Sequence, residues 1–315
     1  MNTPNHVTLV EVGPRDGLQN ENTPVSTAHK VELIAHLQAA GNNEIEVTSF
    51  VSPKWVPQMA DNAQVMVGIV RAAGVRYSVL TPNLRGLEAA LAAPRAQWPD
   101  EVVVFGAASE AFSQRNINCS IDESIERFAP VVAAAHAAGL KVRAAVSCAL
   151  GCPYQGDVSP DAVEQVVRGM KGIGVDHCGI ADTLGVGTPR RVQAVMERAL
   201  RHYPLAQVSG HFHDTYGQAL ANILGCLELG IQTFDTSIAG LGGCPYAKGA
   251  TGNVATEDVV FMLHGMGITT GLDLERLVDA AAFISTVLGR APVSRVSRAL
   301  LAKRGVALND RVKAP

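Results

Sequence analysis

Eight short runs rich in β-branched residues recur along the chain, each followed by a longer Ala-rich amphipathic run. VTLVEV (7–12), EIEVTSF (44–50), RYSVLTP (76–82), EVVVFGA (101–107), KVRAAVSCA (141–149), HCGIAD (177–182), VSGHFHD (208–214) and QTFDTSIA (232–239) read as strands. The runs between them carry helix signals. Thr27 and Gly41 cap the first, Asp61 caps the second, Ser120 and Glu123 form a capping box on the fourth, and Pro160 occupies the first turn of the fifth. A strand–helix unit repeated eight times predicts an α/β chain closed into a (β/α)8 TIM barrel. The whole of 1–315 then forms one catalytic domain. The eight units occupy about 7–267, and additional C-terminal helices with a polar tail fill about 268–315. An open doubly wound sheet fits less well. The turn after the first strand is GPRDG, and GLGGCP lacks the third glycine of a dinucleotide fingerprint.

Several function classes drop out. The net charge is −3, with no basic run interleaved with aromatics, so no nucleic-acid partner is expected. No apolar stretch reaches the ~18 residues of a membrane span, and the N-terminus has no secretory or transit character, which predicts a cytoplasmic protein. None of the six cysteines makes a Cys-x-x-Cys pair, so they read as reduced thiols rather than a disulfide framework.

A barrel places its chemistry at the C-terminal ends of its strands. Those ends hold Arg15 and Asp16, Glu46 and Thr48, Ser109 and Glu110, Ser147 and Cys148, Asp182, then His211, His213 and Asp214. His211 and His213 are two apart on a strand, share a face, and can bind one divalent ion. Closure makes the eighth strand a neighbour of both the first and the seventh, so Asp16, His211, His213 and Asn253 share one sector of the rim. This mixed oxygen and nitrogen set suits Mg2+ or Mn2+, with Zn2+ also compatible. Arg15 either faces a developing oxyanion or only pairs with Asp16 or Glu46. Glu46 either orients a site cation or acts as a base. Asp182 reads as structural support, His177 as packing, and His36, His136 and His264 as helix residues outside the site. The loop from Gly240 to Asn253 holds five glycines, one thiol (Cys244) and one amide, and reads either as a closing lid or as a surface loop with an incidental cysteine.

Together EVGPRDGLQNE (11–21), IEVTSFVSPKWVPQM (45–59), FGAASEAFSQRNINCS (105–120), VSCALGCPY (146–154), HFHDTYGQALAN (211–222) and AGLGGCPYAKGATGNVATED (239–258) resemble the 3-hydroxy-3-methylglutaryl-CoA (HMG-CoA) lyases. The resemblance runs from the first strand to the eighth helix. It implies cleavage of the acyl-CoA substrate HMG-CoA to acetyl-CoA and acetoacetate with a divalent cation, a reaction of leucine catabolism. It also implies Asp16, His211, His213 and Asn253 as metal ligands and Arg15 facing the thioester. Cys244 would be the catalytic thiol, and Glu46 would hold the site's electrostatics. Proton acceptance is left between Asp16 and His211, and proton donation between Cys244 and His211. The family suggests a homodimer or higher oligomer. The chain ends ALNDRVKAP, without the late cysteine or peroxisomal tripeptide of some animal members, and has Asn22 where some relatives carry lysine. A lyase for a related 3-hydroxy-3-methyl acyl-CoA is the near alternative, and a condensing synthase that starts from a 2-oxo acid the more distant one.

Overall fold

A computed structural model describes residues 3–243 and 252–306. Eight parallel strands close into a barrel in sequence order, with the eighth pairing back onto the first. They are β1 (Thr8–Glu11), β2 (Glu44–Ser49), β3 (Arg76–Leu80), β4 (Glu101–Ala107), β5 (Lys141–Ser147), β6 (His177–Asp182), β7 (Val208–Phe212) and β8 (Thr233–Thr236). Each lies within the run that the sequence marks. The helices are α1 (Thr27–Ala39), α2 (Asn62–Gly68), α3 (Leu84–Ala90), α4 (Glu110–Ile117), α5 (Ile121–Ala137), α6 (Pro160–Gly172), α7 (Pro189–Ala199), α8 (Ala219–Glu228), α9 (Thr256–Gly265), α10 (Leu274–Leu288) and α11 (Arg295–Lys303). The apolar core fills the layer between strands and helices, from Val7 and Ile45 through Val142 and Val208 to Leu263 and Ile284.

The capping box of Ser120 and Glu123 and the first-turn Pro160 are both present. Two other caps differ from expectation. Ser26, not Thr27, caps α1 by accepting from the His29 N–H, and Asp61 makes no capping hydrogen bond to α2. The cause is common to both. Asp61 accepts from the Thr27 hydroxyl at 2.7 Å and from Lys30 Nζ at 2.6 Å, so a tertiary contact takes both side chains from their local roles. Helix α4 was not marked in the sequence. Eight residues with little apolar periodicity form it because Ser109 caps its start and Asn118 closes it at φ +51°. Helix α10 lies across α1, with Phe283 against His29 and His36, and buries Leu277, Val278, Ala281 and Ile284.

Two buried carboxyls fasten the place where the first and last units meet. Glu11 Oε1 accepts from the Gly13 and Ile238 N–H groups, each at 2.8 Å, and Oε2 from Thr256 Oγ1 at 2.6 Å. Glu257 accepts from the Ala239 N–H at 3.0 Å and from Ser297 Oγ at 2.6 Å. The turns after β1 and β8 thus share fixed points. Gly13 is needed there, since a Cβ would sit 2.6 Å from Glu11 Oε1. Burial pushes Glu11 up to about 7 and Glu257 up to about 8, although their donors work in the opposite direction. The unfolded chain ionises both near 4.5, so the stability they contribute is complete below that pH and is lost as pH rises through the folded values. Thermal melts from about pH 4.5 to about pH 8 are therefore expected to fall less steeply with pH in Glu257→Gln than in the parent. Equal slopes would refute the assignment.

Candidate active site

Strand β1 ends in a π-helical turn, Gly13–Gly17, that carries Arg15 and Asp16 to the C-terminal rim. Arg15 is buried. Its Nε donates to Glu46 Oε1 at 2.6 Å and its Nη1 to Asp16 Oδ1 at 2.8 Å. Glu46 is itself buried, with Oε1 taken by the Arg15 guanidinium. Glu46 Oε2 accepts from Arg143 Nη2 at 3.2 Å.

Across the seam, β7 supplies His211, and the strand ends one residue later. His213 lies just past it in a short bridge with Asn253. The segment returning to α9 runs along this edge. The Asp214 N–H donates to the Gly252 carbonyl at 2.9 Å, the Val254 N–H to the Phe212 carbonyl at 3.0 Å, and the Ser237 N–H to the Val254 carbonyl at 3.0 Å. That wedge puts Asn253 beside Asp16, and its Nδ2 donates to Asp16 Oδ2 at 2.8 Å. His211 Nε2 lies 3.9 Å from the same oxygen, and the two imidazole centroids are 5.4 Å apart. Among the described residues, Asp16, His211 and His213 form a group whose ligand atoms all lie within 4.8 Å of one another. His213 is buried, its Nδ1 makes no hydrogen bond among the described residues, and its imidazole lies against the Thr183 backbone. The donor set of carboxylate, imidazole and amide fits Mg2+ or Mn2+.

The electrostatics follow from burial and neighbours. Burial opposes ionisation of Asp16, but Arg15, then the two histidines and the Asn253 amide outweigh it and hold the carboxyl well below the usual range. Burial likewise works against a charged His211. The Asp235 carboxylate overcomes it through a hydrogen bond and its charge, and the imidazole is raised above its ordinary value. His213, buried beside His211, falls to about 4.

Asp235 and Arg143 belong to this constellation and were not among the residues singled out from the sequence. Asp235 Oδ2 pairs with His211 Nδ1 at 3.1 Å and Oδ1 accepts from Arg143 Nη1 at 2.8 Å. A signal existed. Each is a formal charge in the middle of a run that otherwise reads as buried strand, where a charge must find a partner. His177, read as packing, in fact borders this group. Burial and then the charge of Arg143 lower it to about 4.

Other rim residues serve the scaffold. Ser109 caps α4 and donates to Gln155 Oε1 at 3.0 Å. Glu110 accepts from the Ile121 N–H. Asp182 accepts from the N–H groups of Val186 (3.1 Å) and Gly187 (2.7 Å), the supporting role expected of it. His36, His136 and His264 lie on α1, α5 and α9, with His136 paired to Asp176 and His264 to Thr270. Cys244 lies outside the described residues. Beside Asn253 opens a cavity of about 410 Å3 whose wall includes Asp214, Tyr216, Asp258 and Arg295.

Residues 6–284 match the HMGL-like family. A Pseudomonas aeruginosa protein described as 3-hydroxy-3-isohexenylglutaryl-CoA/hydroxy-methylglutaryl-CoA lyase is 56% identical over 303 residues, 96% of this chain and 100% of its own. The crystal structure of a hydroxymethylglutaryl-CoA lyase from Pseudomonas aeruginosa superposes with TM-score 0.93 at 56% identity, over 96% of this chain and 100% of that one. An HMG-CoA lyase from Acinetobacter baumannii, solved with coenzyme A and 3-methylmalate, superposes with TM-score 0.87 at 33% identity, over 99% of this chain and 97% of that one.

Removing one donor from the cluster should weaken metal binding without unfolding the barrel. His213→Ala and Asp16→Asn are each expected to reduce Mn2+ affinity on the order of tenfold or more. Electron paramagnetic resonance titration of the substrate-free protein measures this, and unchanged affinity in either variant removes that residue from the ligand set.

Proposed function

The chain belongs to the HMG-CoA lyase family, and on that footing we propose that it cleaves (S)-3-hydroxy-3-methylglutaryl-CoA to acetyl-CoA and acetoacetate by a retro-Claisen reaction. The observation that carries this reading is the rim sector where Asp16, His211, His213 and Asn253 meet next to a buried Arg15. In it Asp16, His211, His213 and Asn253 would hold a divalent cation, Mg2+ or Mn2+. When bound, the ion acidifies the substrate's tertiary hydroxyl and fixes its geometry.

The chain's own groups do the rest. The hydroxyl proton leaves to a rim base, the C–O bond becomes the ketone of acetoacetate, and the adjacent C–C bond breaks. Its electron pair passes to the thioester carbonyl as an enolate, which then takes a proton at carbon to give the acetyl methyl group. Arg15 faces the enolate oxygen, and Glu46 keeps its guanidinium in place, so charge develops against a preorganised cation. The base is Asp16 or His211, and an imidazole whose Nδ1 is hydrogen-bonded to Asp235 and whose Nε2 holds the cation is a poor simultaneous base. Cys244 is the proton donor to the enolate carbon, a role that rests on its match to the family motif. Proton transfers of this kind contribute about 10²–10⁴ in rate.

A longer 3-substituent is the second reading. It is favoured by the 56% identical Pseudomonas aeruginosa relative described with both isohexenylglutaryl and methylglutaryl substrates. A homodimer or larger oligomer and a cytoplasmic location complete the reading. No described helix is long and apolar enough to cross a membrane.

Purified protein supplied with HMG-CoA and Mg2+ or Mn2+ is expected to release acetoacetate, and excess chelator to stop it. Turnover of the isohexenyl homologue with none of HMG-CoA would transfer the assignment to the second reading. Cys244→Ala is expected to lose most turnover while its Mn2+ titration stays as in the parent. Near-parental turnover in that variant would exclude the catalytic thiol.

A further inference from the structure

The side chains beneath the rim form a closed circuit. Asp16 pairs with Arg15, Arg15 with Glu46, Glu46 with Arg143, Arg143 with Asp235 and Asp235 with His211, whose Nε2 returns to within 3.9 Å of Asp16. From this circuit we infer that Asp235 is a positioning residue. It holds His211 as the tautomer protonated on Nδ1, so that Nε2 presents its lone pair to the cation, and Arg143 fixes which Asp235 oxygen does so. The inference deepens the metal-assisted reading and rests on it for its functional consequence.

Three observations support it. Asp235 stands directly across from His211 in the β7–β8 register, so the contact follows from strand pairing and not from a chance rotamer. Its two oxygens have separate tasks, Oδ1 toward Arg143 Nη1 at 2.8 Å and Oδ2 toward His211 Nδ1 at 3.1 Å. Arg143 cannot turn away. It is buried, and its other nitrogens face Glu46 at 3.2 Å and Glu101 at 3.4 Å. A neutral imidazole has one donor and one acceptor nitrogen, and an ionised carboxylate can only accept. Asp235 therefore leaves His211 a single neutral form, the one with Nε2 free for the rim.

The same geometry predicts the effect of an isosteric change. In Asp235→Asn, Arg143 can only donate, so it claims the amide oxygen. The amide NH2 then faces His211 Nδ1 and donates to it. Nδ1 becomes the acceptor, the proton moves to Nε2, and the nitrogen aimed at the cation is blocked. A carboxylate that orients a metal-binding histidine typically contributes 10–100-fold in affinity.

Long-range ¹H–¹⁵N spectra of the imidazoles, recorded on metal-free protein at a pH where His211 is neutral, test this without substrate. The parent is expected to show His211 with a pyrrole-type Nδ1 and a pyridine-type Nε2, and Asp235→Asn the reverse. In parallel, Asp235→Asn should bind Mn2+ roughly 10–100-fold more weakly. Its kcat for HMG-CoA should fall far more than its KM rises, whereas Asp235→Glu, which keeps a carboxylate acceptor, is expected to restore the parental tautomer. An Nε2-protonated His211 in the parent overturns the inference even if no variant folds. So does parental Mn2+ affinity in a folded Asp235→Asn. Absence of HMG-CoA turnover in the parent, with the expected spectra and Mn2+ titration, would instead count against the proposed reaction alone.

Discussion

Arg143 sits inside a closed barrel, buried, with carboxylates from three other strands around it: Glu46 from β2, Glu101 from β4 and Asp235 from β8. A charge in that position has no water to fall back on, and its neighbours must neutralise it. Removing one partner from such a buried set typically costs about 3–5 kcal/mol, because the survivors are left uncompensated. The consequence is mutual constraint. Glu46 cannot swing to another role while it bridges two arginines, and Asp235 cannot release His211 without also leaving Arg143. The rim residues inherit their positions from this interior.

The constraint also separates the two sides of the proposed chemistry. On one side, Glu46 steadies Arg15, the cation for a developing oxyanion. On the other, Asp235 steadies His211, a proposed ligand of the metal. Both are held by one guanidinium, whose planar donors reach several acceptors at fixed angles. Lysine, a single flexible point charge, could not join the two sides in this way. The depressed Asp16 and the raised His211 are both consequences of the circuit, since each group is buried and each is rescued by a neighbour of opposite charge.

Closure of the barrel supplies the other half. Strands β1 and β8 lie at opposite ends of the chain, yet Asp16, Asn253 and His213 occupy a few ångströms of the same rim. Glu11 and Glu257 fasten that seam from beneath, gathering the turns after β1 and β8 together with α9 and α11. The C-terminal helices thereby help to place Ala239, just past β8, as well as covering apolar surface.

Much of this was legible in the linear sequence. The β-branched strand runs, the helix punctuation and the count of eight units determined the barrel, because those signals depend on local backbone preference and on how apolar each short segment is. Position at strand ends, together with the order of closure, determined that Asp16, His211, His213 and Asn253 converge. The sequence could not determine which cap would win at Ser26, because Thr27 and Asp61 are drawn into a contact 34 residues apart. Nor did it reveal Asp235 and Arg143 as part of the site. Their chemistry is set by partners on strands far away in the chain, and only the closed barrel brings a β5 arginine between a β2 glutamate and a β8 aspartate. Tertiary structure decided that circuit, because paired burial of charge is a property of three-dimensional proximity and leaves only an unexplained mid-strand charge in the sequence.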